Sequence, residues 1–260
     1  MFRKTPPRSR LPEGARNYRA YVIGDVHGKL DLLEELLAKI DRDLERLPAK
    51  KVVLVFVGDL IDRGPDSAAV IELLRTYRRP GAKTVFILGN HEEVMLRILD
   101  GDASHIGHWL KFGGAQCLAS YGLDPAGLAV LGEAEAVAAI RGAIPAEHSR
   151  FLHGFADSFR FGDYLIVHAG IRPGVGLEQQ LQSDLRWIRE PFLGDRSDHG
   201  FVVVHGHTIT DGVEVRPNRI GIDTGAYASG VLTALAIQGA ERWVIDTGVP
   251  ASSTLTGTLG

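Results

Sequence analysis

The chain has 260 residues, 45% hydrophobic and 23% charged, a balance that excludes a disordered, collagenous or coiled-coil polypeptide and suits one core-forming domain. Its longest apolar runs, 52–57 and 231–237, fall far short of the roughly 20 residues that span a bilayer, so no membrane helix is expected. The net charge is −3, and a single cysteine, Cys117, excludes an internal disulfide or a thiolate metal cluster and fits a reducing cytoplasm.

Residues 1–19 hold Arg3, Lys4, Arg8, Arg10, Arg16 and Arg19 against Glu13, interrupted by Pro6, Pro7 and Pro12. They read as a flexible basic leader without the apolar stretch of a secretory signal. A single domain is expected over 20–246. It opens with a short apolar strand at 21–23, and LDLLEELLAKIDRDLERL then repeats leucine at helical spacing. KVVLVFVGD reads as a second strand, DSAAVIELLRTYRR as a helix and TVFILGN as a third strand. Two βα units in series imply a parallel sheet.

Residues 92–152 carry little β-branched alternation and read as a mostly helical insert or lid, broken at Gly113, Gly114 and Pro125. SFRFGDYLIVHAG predicts a hairpin turning near Gly162 and Asp163, and FVVVHG, RIGIDTG, VLTALAIQ and RWVIDT add further strands. The expected class is α/β: a four-layer α/β/β/α sandwich of two mixed sheets with that insert. Residues 247–260 read as a polar tail.

Metal-competent side chains recur at the ends of these strands. Asp25 and His27 follow the first, Asp59 the second, Asn90 and His91 the third; His168 ends LIVH and His207 follows FVVVHG. Ligands bind α/β sheets at the carboxyl ends of strands, where loops converge. Asp25 and His27, two apart on extended chain, point to one side. Turn preference explains a single such fragment, but not five in order. Oxygen and imidazole donors without thiolate suit Mn, Fe, Zn or Ni rather than a structural zinc site.

GDVHG (24–28), GDLIDRG (58–64), GNHE (89–92), HAG (168–170) and GHT (206–208) together resemble the signature motifs of the PPP-type serine/threonine protein phosphatases. These belong to the calcineurin-like metallophosphoesterases, and the likeness covers residues 20–240 and is nearest to the compact bacterial and phage members. The resemblance implies Asp25 and His27 as ligands of a first metal, Asp59 as the bridging carboxylate, and Asn90, His168 and His207 as ligands of a second. It makes His91 the general acid, held by Asp62. Arg63, Asn90 and, from RWIRE, Arg189 are expected on the substrate phosphate. Two divalent ions, Mn foremost, are the implied cofactors, with a metal-bound hydroxide as nucleophile and no phosphoenzyme. A phosphoprotein or phosphopeptide is the expected partner, with no specific nucleic acid. Trp109 with Gly113 and Gly114 resembles the bacterial lid region, or else anchors the core of its own helix. Asp223 and His205 are equally open between a supporting role at the metals and ordinary strand positions.

A symmetrical diadenosine tetraphosphate hydrolase of the same fold is the alternative. That family carries Ala at the position of Asp62 and Asp at that of Glu92, and lacks Thr208. Leu88 departs from the phosphatase pattern, which has Arg before GNHE. The diesterase ending GHxH is not met, because Ile209 stands at its last position.

Overall fold

The computed structural model describes residues 11–248; most of the basic leader and most of the polar tail lie outside them. β1 (Arg19–Ile23), β2 (Val52–Phe56) and β3 (Ala82–Phe86) pair in parallel, joined by α1 (Leu30–Arg46) and α2 (Ser67–Thr76). β9 (Thr233–Gln238) adds antiparallel to β1, and β10 (Glu241–Asp246) antiparallel to β9. The first sheet therefore runs β10-β9-β1-β2-β3.

β4 (Ser158–Phe161), β5 (Tyr164–Val167), β6 (Val202–His205), β7 (Glu214–Val215) and β8 (Arg219–Gly221) form a second sheet in the order β4-β5-β6-β8-β7. β5, β6 and β8 are parallel, while β4 and β7 are antiparallel edges. The expected hairpin turns at Gly162, whose φ is 62°. β7, two residues long, is too short to leave a periodic signal in sequence.

Period-two alternation assigns each strand residue to a layer. Ala20 and Val22 of β1 and Val53 and Val55 of β2 meet Ile166, Val204 and Ile220 of the other sheet in a core between the two. Tyr21, Ile23, Leu54 and Phe56 face the opposite way and pack on α1, α2 and the insert. Leu165, Val167 and Val203 cover the far face of the second sheet beneath α8 (Gln182–Trp187) and Phe192. The result is the four-layer α/β arrangement of two mixed sheets.

The insert is α3 (Asn90–Leu99), α4 (Ile106–Trp109), α5 (Ala115–Ser120), α6 (Glu133–Ala143) and α7 (Ala146–Leu152). Its winding breaks over Leu110–Gly114 and again over a 3-10 stretch at Pro125–Val130, at the glycines and proline expected to interrupt it. A short α9 (Ala226–Ser229) follows β8.

The expected leader boundary at 19 is corrected by the packing of residues 11–19. Gly14 N–H donates to Gly239 O at 2.8 Å, Asp163 N–H to Glu13 O at 2.8 Å and Tyr164 hydroxyl to Pro12 O at 3.2 Å. Pro12, Gly14 and Arg19 are buried, and Arg19 opens β1. Aliphatic and backbone contacts thus anchor a stretch whose charge pattern reads as solvated.

Candidate active site

The loops after β1, β2, β3, β5, β6 and β8 meet at one edge of the sandwich. Among the described residues, six non-glycine positions have positive φ, and five of them lie here: His27, Asp59, Asp62, Arg63 and His207. Such angles are uncommon for side-chain-bearing residues and persist where the surroundings impose them. Each strand reverses abruptly at its end, so its polar side chain turns inward.

Asp59 lies at the centre. Its Oδ2 is 3.6 Å from His27 Nε2, and its Oδ1 is 3.4 Å from His168 Nε2. His168 Nε2 and His207 Nδ1 lie 2.9 and 2.8 Å from Asn90 Oδ1 and 3.2 Å from each other. Nδ1–H of His27 donates to Ile61 O at 2.9 Å and Nδ1–H of His168 to Val57 O at 2.8 Å. Each ring therefore turns an Nε2 lone pair into the site, as a ligating histidine does. Asp25 accepts from His207 N–H at 2.9 Å through Oδ2, while its Oδ1 and His207 Nε2 are buried with no hydrogen-bond partner. Gly206 makes this approach possible, since a Cβ there would run into the Asp25 carboxylate.

These are converging acceptors, and cations are what such a donor set accommodates. His27, Asp59 and His91 form one group with metal-ligand spacing, and Asp59, His168 and His207 a second. Asp25, His27, Asp59, Asn90, His168 and His207 fit as donors to two divalent ions, whereas His91 is engaged by Asp62 and stays outside the donor set. Without cations the carboxylates and imidazoles disturb each other. Burial, then the charges of Asp223 and Asp59, push Asp25 well above the usual carboxylate range. Burial pulls His27 and His207 down to about 3, the neutral form a metal needs. Asp59 is held well below its usual value because His168, His91 and His27 outweigh its burial.

His91 has the opposite setting. Burial works against its charge, yet Asp59 and the bond to Asp62 outweigh this and raise it to about 9. Nδ1–H donates to Asp62 Oδ2 at 2.6 Å, leaving Nε2 for the cavity. Arg63 Nη2 lies 3.3 Å from that Nε2, and its guanidinium stacks 4.5 Å over the Tyr227 ring. The cavity, about 220 Å³, is lined by His27, Asp59, Arg63, Asn90, His91 and His207, with Arg189 and Asp223 across it. Val94, His108, Trp109, Phe112 and Trp187 complete the lining.

All ten residues singled out from the sequence therefore lie around this edge. Asp223 joins them, its carboxyl raised by burial and accepting from Gly225 N–H at 2.9 Å. His205 is buried against Gly206 O and Arg219, away from the cavity. His148 is buried between Tyr121 and Glu72. Cys117 is a buried core residue, and burial, then the charge of Asp62, keep its thiol protonated.

Glu92 carries more than sequence suggests. Its carboxylate accepts from the backbone N–H groups of Asp59 at 2.8 Å, Leu60 at 2.7 Å, Ile61 at 3.3 Å and Gly89 at 3.1 Å. It thus ties the loop bearing Asp59 to the start of α3. Its spacing from Gly89 is that of a capping box, the one signal in sequence that could have revealed it.

The chain belongs to the calcineurin-like phosphoesterase family, which matches residues 18–230. It is therefore a metallophosphoesterase-type hydrolase built to hold divalent metal ions. It is 27% identical over 279 residues to the symmetrical bis(5'-nucleosyl)-tetraphosphatase of Dechloromonas aromatica, covering 87% of this chain and 95% of that protein. It is 29% identical over 238 residues to the asymmetrical enzyme PrpE of Halalkalibacterium halodurans, covering 82% and 88%. A match to the symmetrical enzyme of Legionella pneumophila reaches 36% over 118 residues but spans only 38% of this chain and 40% of that one. The cold-active protein tyrosine phosphatase of a psychrophilic Shewanella shares the fold, with a TM-score of 0.58 at 16% identity over 97% of this chain and 86% of that one.

Proposed function

We propose that the chain hydrolyses dinucleoside tetraphosphates. The observation that carries this reading is the cavity's composition: Arg63 and Arg189 line it together with Phe112 and Trp187, two aromatic side chains at least 38% exposed. A planar cation grips phosphate oxygens, and an exposed ring offers a stacking face to a base. The names of relatives aligned over more than four-fifths of the chain support the same substrate.

When bound, two divalent ions supply an activated water and neutralise phosphoryl charge; Mn is the ion proposed, with Fe, Zn and Ni as competitors for this donor set. Arg63 and Arg189 orient the phosphate, with Asn90 beside them. His91 gives the proton of its Nε2 to the departing oxygen while Asp62 holds Nδ1–H. Burial around Asp59 excludes bulk water from the reacting face. We place the reaction in the cytoplasm; no helix among the described residues is long and apolar enough to cross a membrane.

A second reading, a phosphoserine or phosphothreonine monoesterase of the PPP type, is favoured by the 2.6 Å pairing of His91 with Asp62. An alkoxide leaving group depends on a proton donor far more than a nucleotide phosphate does. The test is a parallel assay of protein stripped of metal and then given Mn, on diadenosine tetraphosphate and on a phosphothreonine peptide. ADP release supports symmetrical cleavage, and ATP with AMP asymmetrical cleavage. Phosphate from the peptide with neither nucleotide product overturns the first reading in favour of the second.

A further inference from the structure

The insert meets the site where its helix loses regular winding. Between α4 and α5 the chain makes a wide turn, with Phe112 and Gly113 outside helical angles and Gly113 at φ 117°. Two bonds fix this turn to the loop after β2. Indole Nε1–H of Trp109 donates to Asp62 Oδ2 at 2.8 Å, and Arg63 N–H donates to Gly113 O at 3.2 Å.

The first bond is made away from water, since Trp109 is 2% exposed and Asp62 fully buried. A donor to a buried carboxylate is among the stronger hydrogen bonds a protein makes. Asp62 Oδ2 takes both this indole and His91 Nδ1–H, whereas Oδ1 has no hydrogen-bond partner. One oxygen thus carries both donors, and turning the carboxylate would break the two bonds together. Asp62 and Arg63, at φ 72° and 67°, sit in the left-handed region and need such outside support. Gly114 lets the indole lie flat on the turn, because a Cβ there would collide with the ring.

The geometry points to Trp109 as a positioning residue for phosphoester hydrolysis. Its N–H locks the Asp62 carboxylate so that His91 keeps Nε2 toward the cavity, which makes the insert part of the acid's support. The inference rests on the family's hydrolase chemistry and not on which ester is the physiological substrate. As a water oxygen forms the new P–O bond and gives up a proton to solvent, the ester P–O bond breaks, its electron pair goes to the departing oxygen, and that oxygen takes the proton from His91 Nε2, which solvent restores. Nδ1–H stays with Asp62, and Trp109 neither gives nor takes a proton.

Trp109→Phe in the Mn-loaded full chain removes the donor and keeps an aromatic ring. On an alkyl phosphate, whose leaving group needs the acid, kcat should fall about 10- to 100-fold with KM within about twofold. On p-nitrophenyl phosphate, whose leaving group needs little protonation, the loss should stay under about threefold. In an Asp62→Ala background the same substitution should cost under about twofold, because the oxygen it serves is gone. Should the phenylalanine variant fold poorly, β-(3-benzothienyl)alanine at position 109 keeps the bicycle without the N–H and tests the same contrast. Equal loss on both esters, unchanged kinetics, or a full additional loss without Asp62 overturns the inference while an active wild type leaves the hydrolase reading intact. A wild type silent on both esters overturns the two together.

Discussion

Asp59 shows how much one side chain carries. Its two oxygens face the two candidate metal groups separately, so Asp59→Asn removes the shared charge and keeps the volume. Replacing residues that merely orient metal ligands costs 10–100-fold. The loss here should therefore exceed about 100-fold in kcat, with the far-ultraviolet spectrum unchanged. His91 makes a prediction about pH in the metal-free protein. Its value rises from 6.5 to about 9 on folding, so its contribution to stability is present in full below about 6.5 and is lost as pH rises through about 9. The gap in unfolding temperature between wild type and His91→Gln should accordingly be wide near pH 6 and narrow above about pH 9.5. These residues were legible because each ligand sits in a short contiguous motif at a strand end. The Trp109–Asp62 bond was not, since it joins residues 47 apart in sequence and neither is unusual alone. The burial of His148 was illegible for the same reason: its partners Tyr121 and Glu72 come from other elements.

At the scale of elements, β1 and β2 were legible as continuous apolar runs because both their faces are buried, and α1 by its helical period because one face is. The insert's breaks were visible as Gly113, Gly114 and Pro125, but not what they dock against. Backbone contacts leave no residue-type signature, which also hid the packing of residues 11–18. Gly113→Ala tests the docking. The position has φ 117°, and an added Cβ would press on the Arg63 backbone. A strained backbone costs about 1–3 kcal/mol, and displacement of Arg63 should weaken inhibition by product phosphate as well. A shifted denaturation midpoint with unaltered phosphate inhibition would mean that the turn does not position Arg63.

For the molecule as a whole, the sandwich depends on side chains that fill each layer. Phe56 is fully buried and stacks on Phe86 with centroids 5.1 Å apart, and Phe86 in turn contacts Phe151 and Phe155. Phe56→Ala should cost about 3–5 kcal/mol, read as a lowered denaturant midpoint. The same architecture sets where the candidate ligands come from. Asp25, His27, Asp59 and Asn90 follow strands of the first sheet, whereas His168 and His207 follow strands of the second. Ions held by this set would rivet one layer to the other across their seam. Above its dissociation constant, each tenfold rise in free ion at one site adds about 1.4 kcal/mol to folding stability. Mn titration should therefore raise the melting temperature and slow amide exchange in β2 and β6 together, while Asp59→Asn flattens both responses. The endurance of the fold would then report the cell's supply of divalent metal, and starvation would loosen the sandwich along the line where its reaction takes place.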